Sequence, residues 1–154
     1  MAKDTRLRAE PDREPKTQYA ALPWRRTPEG AVEVLLITSR ETRRWVIPKG
    51  WPIKKLKPAA AAAQEAFEEA GISGTTGKAV GAYHYDKRLR SGRTQHVRVR
   101  VFPLLVAAEH PAWPEMDQRE RRWTAPAEAA ELVDEPELKT LIAAFSPKPK
   151  PDGG

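Results

Sequence analysis

The chain contains no cysteine. That excludes a disulfide framework, a thiolate nucleophile and a structural zinc–thiolate site. No apolar run approaches the roughly 20 residues that a membrane-spanning helix needs. Residues 1–16 mix charges with two prolines and hold no apolar signal core, so a cytoplasmic location without membrane association is the expectation. The three histidines, His84, His96 and His110, have no metal-ligand spacing and read as packing or surface residues. Internal repeats are absent. What remains is a 154-residue chain that fits one domain and buries roughly 68–70% of its unfolded surface.

The expected organisation is a disordered leader over 1–16, a folded domain over 17–145 and a flexible Pro/Lys tail over 146–154. Tyr19 to Trp24 and Val32 to Thr38 read as strands about the turn Thr27-Pro28-Glu29-Gly30. Val34 to Ile37 is continuously apolar, as in a strand buried on both faces. Further strands are predicted over Arg44 to Ile47, Lys78 to Tyr85, Gln95 to Val106 and Arg121 to Thr124. Val97, Val99 and Val101 alternate with Arg98 and Arg100, which predicts one buried and one polar face. Helices are predicted over Pro126 to Leu132 and Glu135 to Phe145, with Asp134 as N-cap of the second. Strands covered by helices on two sides make an α/β/α sandwich with a mixed sheet. Trp24, Trp45, Trp51, Trp113 and Trp123 read as core and rim residues more than as base-stacking platforms.

Glu65, Glu68 and Glu69 stand at i, i+3 and i+4, so on a helix they share one face. The helix is well signalled: Pro58 suits its first turn, Ala59 to Ala63 are strong helix formers, and Gly71 suits a left-handed stop. Three clustered carboxylates cost roughly 0.2–0.5 kcal/mol per close pair, so a solvated acidic stripe is the plain alternative. The surroundings argue against it. A short strand ends at Trp45-Val46-Ile47-Pro48, Lys49-Gly50 follows, and 14 residues separate Gly50 from Glu65. Glycine loop, acidic helix and the closing Gly71-Ile72 form a set of hard oxygens suited to Mg²⁺ or Mn²⁺.

This layout resembles the Nudix hydrolase family. The family motif is Gly, five residues, Glu, seven residues, then Arg-Glu-aliphatic-any-Glu-Glu-any-Gly-aliphatic. Gly50, Glu65, Glu68, Glu69, Gly71 and Ile72 match, and Ala66 is a weak aliphatic match. Leu56 replaces the first Glu and Gln64 the Arg. The motif spans 23 residues. A looser likeness runs from about Gln18 to Phe145. The runs Trp45 to Trp51 and Arg119 to Trp123 look most like the diphosphoinositol polyphosphate phosphohydrolase branch, which also cleaves diadenosine polyphosphates. The resemblance implies a Nudix-type α/β/α sandwich and phosphoanhydride hydrolysis with Mg²⁺ or Mn²⁺. Glu65, Glu68 and Glu69 would be the catalytic carboxylates. Glu65, Glu69 and the Gly50 carbonyl would bind metal, and Glu68 would be a ligand or the general base. Glu109, Glu115 and Glu120 are candidates for a further metal-binding acid downstream. Leu56 and Gln64 replace a supporting pair together, and Leu56 is expected to anchor the loop by packing instead.

Net charge is +6, and its distribution points to the substrate. Nine Lys/Arg against three Glu lie between Arg25 and Lys57, and six against one Asp between His84 and Arg100. Basic flanks around an acidic centre suit a polyanionic small molecule held jointly by cations and a metal. The substrate-binding candidates are Arg25, Arg26, Ser39, Arg40, Arg44, Lys49 and Arg88, with Arg43 a further base in the same run. Nucleic acid is a less favoured partner. The rival functions are RNA 5′-end pyrophosphate removal and a catalytically silent Nudix-like module that binds a nucleotide. Oligomeric state is open.

Overall fold

The computed structural model describes residues 15–148. The expected leader up to residue 14 and the end of the expected tail, 149–154, lie outside the described residues. Lys16, placed in the leader from sequence, opens the first strand.

β1 (Lys16–Arg26) is the axis of a mixed sheet of eight strands. It pairs in parallel with the long β7 (Thr94–Glu109), from Lys16 opposite Val97 to Trp24 opposite Leu105. Its other edge is shared. β2 (Val32–Thr38) takes the far end through Trp24 opposite Val34, and the two-residue β4 (Lys49–Gly50) takes the near end through Tyr19 opposite Gly50. β3 (Trp45–Val46) and β8 (Arg121–Thr124) complete the sheet around β2. The second edge of β7 is also divided, between β6 (Gly81–Arg88) and β5 (Ile72–Thr76), both antiparallel.

Side-chain alternation separates two cores. Ala20, Leu22, Val34, Leu36, Val97, Val99 and Val101 face Ala129, Leu138 and Ile142 of α2 (Pro126–Leu132) and α3 (Pro136–Ala144). Ala21, Leu35, Ile37, Phe102 and Leu104 face Ala62, Ala66 and Ala70 of α1 (Pro58–Ala70). The β2 run is therefore buried on both faces because helices cover both. Each large aliphatic side chain buried here contributes about 1.5–3 kcal/mol. Among the described residues no helix is long and apolar enough to cross a membrane.

The expected α/β/α sandwich is the observed fold. β5 was not expected, because Ile-Ser-Gly-Thr-Thr buries fully only Ile72 and shows no alternation. The length of β7, which offers it a partner, specifies it. Asp134 is not the N-cap of α3. Glu135 holds that position without a side-chain cap bond, because Arg44 takes its carboxylate at 2.8 Å.

The buried face of α1 is alanine at 62, 66 and 70, which lets the helix sit close to the sheet. Ala66→Leu is expected to cost about 1–3 kcal/mol through overpacking. Urea denaturation measures this, and an unchanged midpoint would show slack beneath the helix.

Candidate active site

α1 places the acids. Pro58 starts it, and Gly71 ends it in the left-handed conformation at φ 69°. A Cβ at Gly71 would also strike the Trp113 ring, so glycine is required twice over. The last turn carries no base of its own. Its orphan carbonyls are satisfied from the segment 110–121 instead. His110 N–H donates to Gly71 O at 2.7 Å, Glu115 N–H to Glu68 O at 3.1 Å, Trp113 Nε1 to Glu69 O at 3.3 Å and Arg121 Nη1 to Ala70 O at 3.0 Å. This docking carries Glu115 and Arg119 to the acidic helix.

Glu69 lies at the centre and is only 8% exposed. Its Oε1 accepts the Lys49 N–H at 3.3 Å, which ties the glycine loop to the helix. Its Oε2 is 3.7 Å from Arg119 Nη2, while Arg119 Nε donates to Glu115 Oε1 at 2.8 Å. Desolvation pushes the Glu69 carboxyl up to about 8, against the opposing pull of Arg119 and Lys49. Glu65 is also raised, first by desolvation and then by the charge of Glu68. A Cβ at Gly50 would collide with the Glu65 carboxylate, so glycine here allows close approach of acid and loop. The Lys49 ammonium lies 5.0 Å from the Tyr85 ring, and burial lowers its pKa.

These groups line a cleft of about 440 Å³. Glu65, Glu69 and Glu115 supply its acids, and Arg40, Lys49, Lys87 and Arg119 its cations. A larger apolar groove of about 520 Å³, between Trp24, Leu105 and Phe145, has no ionisable lining residue and offers no comparable chemistry. Among the described residues, no three acidic or imidazole groups stand converged as a finished metal cage.

The structure brings together Gly50, Glu65, Glu69, Arg40 and Lys49 of the residues expected from sequence. Glu68 is half-buried beside the cleft, where its Oε2 accepts Gln64 Nε2 at 2.8 Å. The other expected substrate-binding residues do not line the cleft. Arg25 pairs with Glu33 at 2.9 Å and Glu109 at 3.0 Å and stacks on Trp123. Arg26 bonds Gly30 O and Pro147 O. Arg44 is held by Glu135, Arg43 by Glu120, and Ser39 by Thr42. Arg88 is exposed at the end of β6. Of the downstream acids, Glu115 alone is in the cleft; Glu109 and Glu120 are those in the arginine pairs above.

Leu56 does not pack the loop, contrary to expectation. It is 42% exposed, and its N–H closes a turn onto Ile53 O at 3.0 Å. The Lys49–Glu69 bond and the Gly50–Glu65 approach hold the loop instead. Arg119 was missed as a site residue. Sequence spacing alone does not show that residue 119 returns to the helix at 65–69; the one available signal was the spacing of four residues between Arg119 and the candidate acid Glu115. Two of the three histidines stack, His84 on His96, with Nδ1 atoms engaged by Glu137 and Asp86, and His110 bonds Ser73.

A mixed-sheet α/β/α sandwich in which a glycine loop is tied to an acidic helix defines a Nudix domain. The chain belongs to that family: the NUDIX domain pattern matches residues 16–145. The family acts on pyrophosphate bonds of nucleotide-like substrates. The chain is similar to Nudix hydrolase 21, chloroplastic, of Arabidopsis thaliana, at 32% identity over 121 residues, 75% of this chain and 58% of that one. It is 30% identical over 104 residues to diphosphoinositol polyphosphate phosphohydrolase 3-beta of Bos taurus, covering 66% and 60% of the two chains. The crystal structure of the C. elegans Ap4A hydrolase shares the fold, with a TM-score of 0.60 at 19% identity over 84% of this chain and 95% of that one. The chain spans between 53% and 58% of the length of the first curated relatives it matches.

Proposed function

We propose that the chain hydrolyses a phosphoanhydride linkage in a highly anionic small molecule, with Mg²⁺ or Mn²⁺ as cofactor. One observation carries this reading: a single cleft sets Glu65, Glu69 and Glu115 against Arg40, Lys49, Lys87 and Arg119. Acids alone would repel a polyphosphate, and cations alone would only bind it. A divalent ion on the acids reconciles the two sets. The residues present fit such an ion. Every donor is an oxygen, the choice of hard cations, and the Glu65 and Glu69 carboxylates both approach the loop that bears the Gly50 carbonyl. Glu65, Glu69 and the Gly50 carbonyl would hold it, with Glu115 the downstream acid. When bound, the ion neutralises phosphate oxygens and stabilises the leaving phosphate.

The chain's own groups supply the remainder. Glu68, oriented by Gln64, is a further ligand or the base that takes a proton from the attacking water. Lys49 and Arg40 grip phosphate oxygens, Lys49 as a point charge and Arg40 as a fork. Arg119 orients Glu115. Diadenosine polyphosphates and diphosphoinositol polyphosphates are the favoured substrates, supported by the two relatives whose names carry those compounds. A second reading, pyrophosphate removal from RNA 5′ ends, draws on the exposed Arg88, Arg98 and Arg100 of β6 and β7.

The test is a set of phosphoanhydride substrates, triphosphorylated RNA included, incubated with Mg²⁺ or Mn²⁺ and resolved by chromatography. Metal-dependent product formation that a chelator abolishes is expected. Saturable binding without turnover of any substrate would leave a nucleotide-binding module instead.

Cation number in the cleft predicts a length preference. Each charge-assisted phosphate contact contributes roughly 1.5–3 kcal/mol before desolvation and ordering costs. Arg40→Ala or Lys49→Ala is therefore expected to lower kcat/KM more on a penta- or hexaphosphate bridge than on ADP-ribose. Wild-type kcat/KM on the long substrate should also fall as salt rises. Equal losses on both substrates, with no salt dependence, would remove these residues from the phosphate track.

A further inference from the structure

Five tryptophans were expected to be core or rim residues, and the structure separates one from the rest. Arg26 lies over the Trp24 ring at 5.7 Å, Arg122 over Trp45 at 5.9 Å, Arg121 over Trp113 at 3.9 Å and Arg25 over Trp123 at 4.0 Å. Among the described residues the Trp51 ring has no cation, aromatic or hydrogen-bond partner. It is 39% exposed, and it lines the same cleft as Glu65, Lys49 and Arg40. It directly follows Gly50, whose neighbour Lys49 is bonded to Glu69. Pro52 comes next and also lines the cleft. A residue before proline is confined to extended conformations, so little backbone freedom is lost when the ring is engaged.

An indole left bare in a cleft that is otherwise largely charged leaves large apolar area in water. Its two faces are the natural platform for a flat, electron-poor ring. Nucleobases provide such rings, and stacking on an aromatic side chain tolerates any base. An inositol ring is puckered and crowded with phosphates, and it cannot stack. We propose that Trp51 is a specificity-determining residue that stacks a nucleobase of the substrate, so that the cleft prefers nucleoside polyphosphates to inositol polyphosphates. This rests on the phosphoanhydride hydrolase reading and narrows it.

The test compares diadenosine tetraphosphate with inorganic tripolyphosphate, which offers the same anhydride without a ring. Tripolyphosphate is followed as a substrate or, where it is not turned over, as a competitive inhibitor. Trp51→Ala is expected to raise KM for diadenosine tetraphosphate by about 10-fold or more. The kcat should change much less, and the tripolyphosphate constants should not move. Trp51→Phe should recover most of the loss. An unchanged KM, or an equal loss with tripolyphosphate, overturns the proposal.

Binding supplies a readout independent of turnover. Titration with ADP in the absence of metal is expected to quench wild-type tryptophan fluorescence saturably, and Trp51→Phe should abolish the quench. No quench in the wild type, or a full quench in Trp51→Phe, overturns the proposal. If the wild type hydrolyses no phosphoanhydride, the hydrolase reading falls and this titration alone decides the role of Trp51.

Discussion

Glu69→Gln is expected to lower kcat by about 10² or more under saturating Mg²⁺ or Mn²⁺, with the fold intact. Sequence alone suggests that the fold survives because the carboxylate faces solvent. The structure shows a different reason, since Glu69 is buried. Its carboxyl already leans toward the neutral form through desolvation. An amide of the same shape keeps the Oε1 acceptor for the Lys49 N–H and relieves repulsion with Glu65. What it loses is the negative charge proposed to hold the metal. Steady-state kinetics at increasing metal concentration, beside thermal denaturation, separate the two effects. A near-normal kcat would place the catalytic centre elsewhere. Glu68→Gln should also reduce turnover, but from a position held by Gln64 and not by Lys49 or Arg119.

Arg119→Met is expected to destabilise the fold by about 3 kcal/mol, near the lower end of the range for breaking a buried ion pair. The guanidinium side chain is 9% exposed and serves Glu115, Glu69 and the Thr38 carbonyl at once. Methionine fills the space of the stem and satisfies none of them. The cost stays at the lower end because the Glu115 side chain keeps 22% exposure and Glu69 can take up a proton. Urea denaturation measures the loss. A double-mutant cycle with Glu115→Gln should give a coupling of about 1 kcal/mol or more. A loss below about 1 kcal/mol would mean that the 110–121 segment is held by its helix-end bonds alone.

Much of this domain is written locally. The alanine run from Pro58 to Gly71 makes a helix by propensity and capping alone, and its period places Glu65 and Glu69 on one face. The apolar run Val34 to Ile37 and the valine–arginine alternation of β7 likewise reveal burial without any structure, because side-chain period is a property of the strand itself. Gly71 marks the end of the helix for a local reason, its left-handed backbone, whereas Gly50 is required by the tertiary approach of Glu65. The remainder depends on which segments meet. β5 exists because β7 is long enough to accept a second partner. Only part of the +11 of the basic flanks gathers at the site, because Arg25, Arg43 and Arg44 have found Glu109, Glu120 and Glu135 far away in the chain. Leu56 stands in solvent while a backbone N–H at Lys49 takes over the support. Glu115 and Arg119 reach the acids only because the open carbonyls at the end of α1 dock the segment that bears them. Local sequence decides helix, strand and turn through backbone sterics and side-chain period. Ion pairing, desolvation and helix-end bonding act between residues brought together from across the chain, so tertiary structure alone decided which charges converge on the cleft and left Trp51 bare within it.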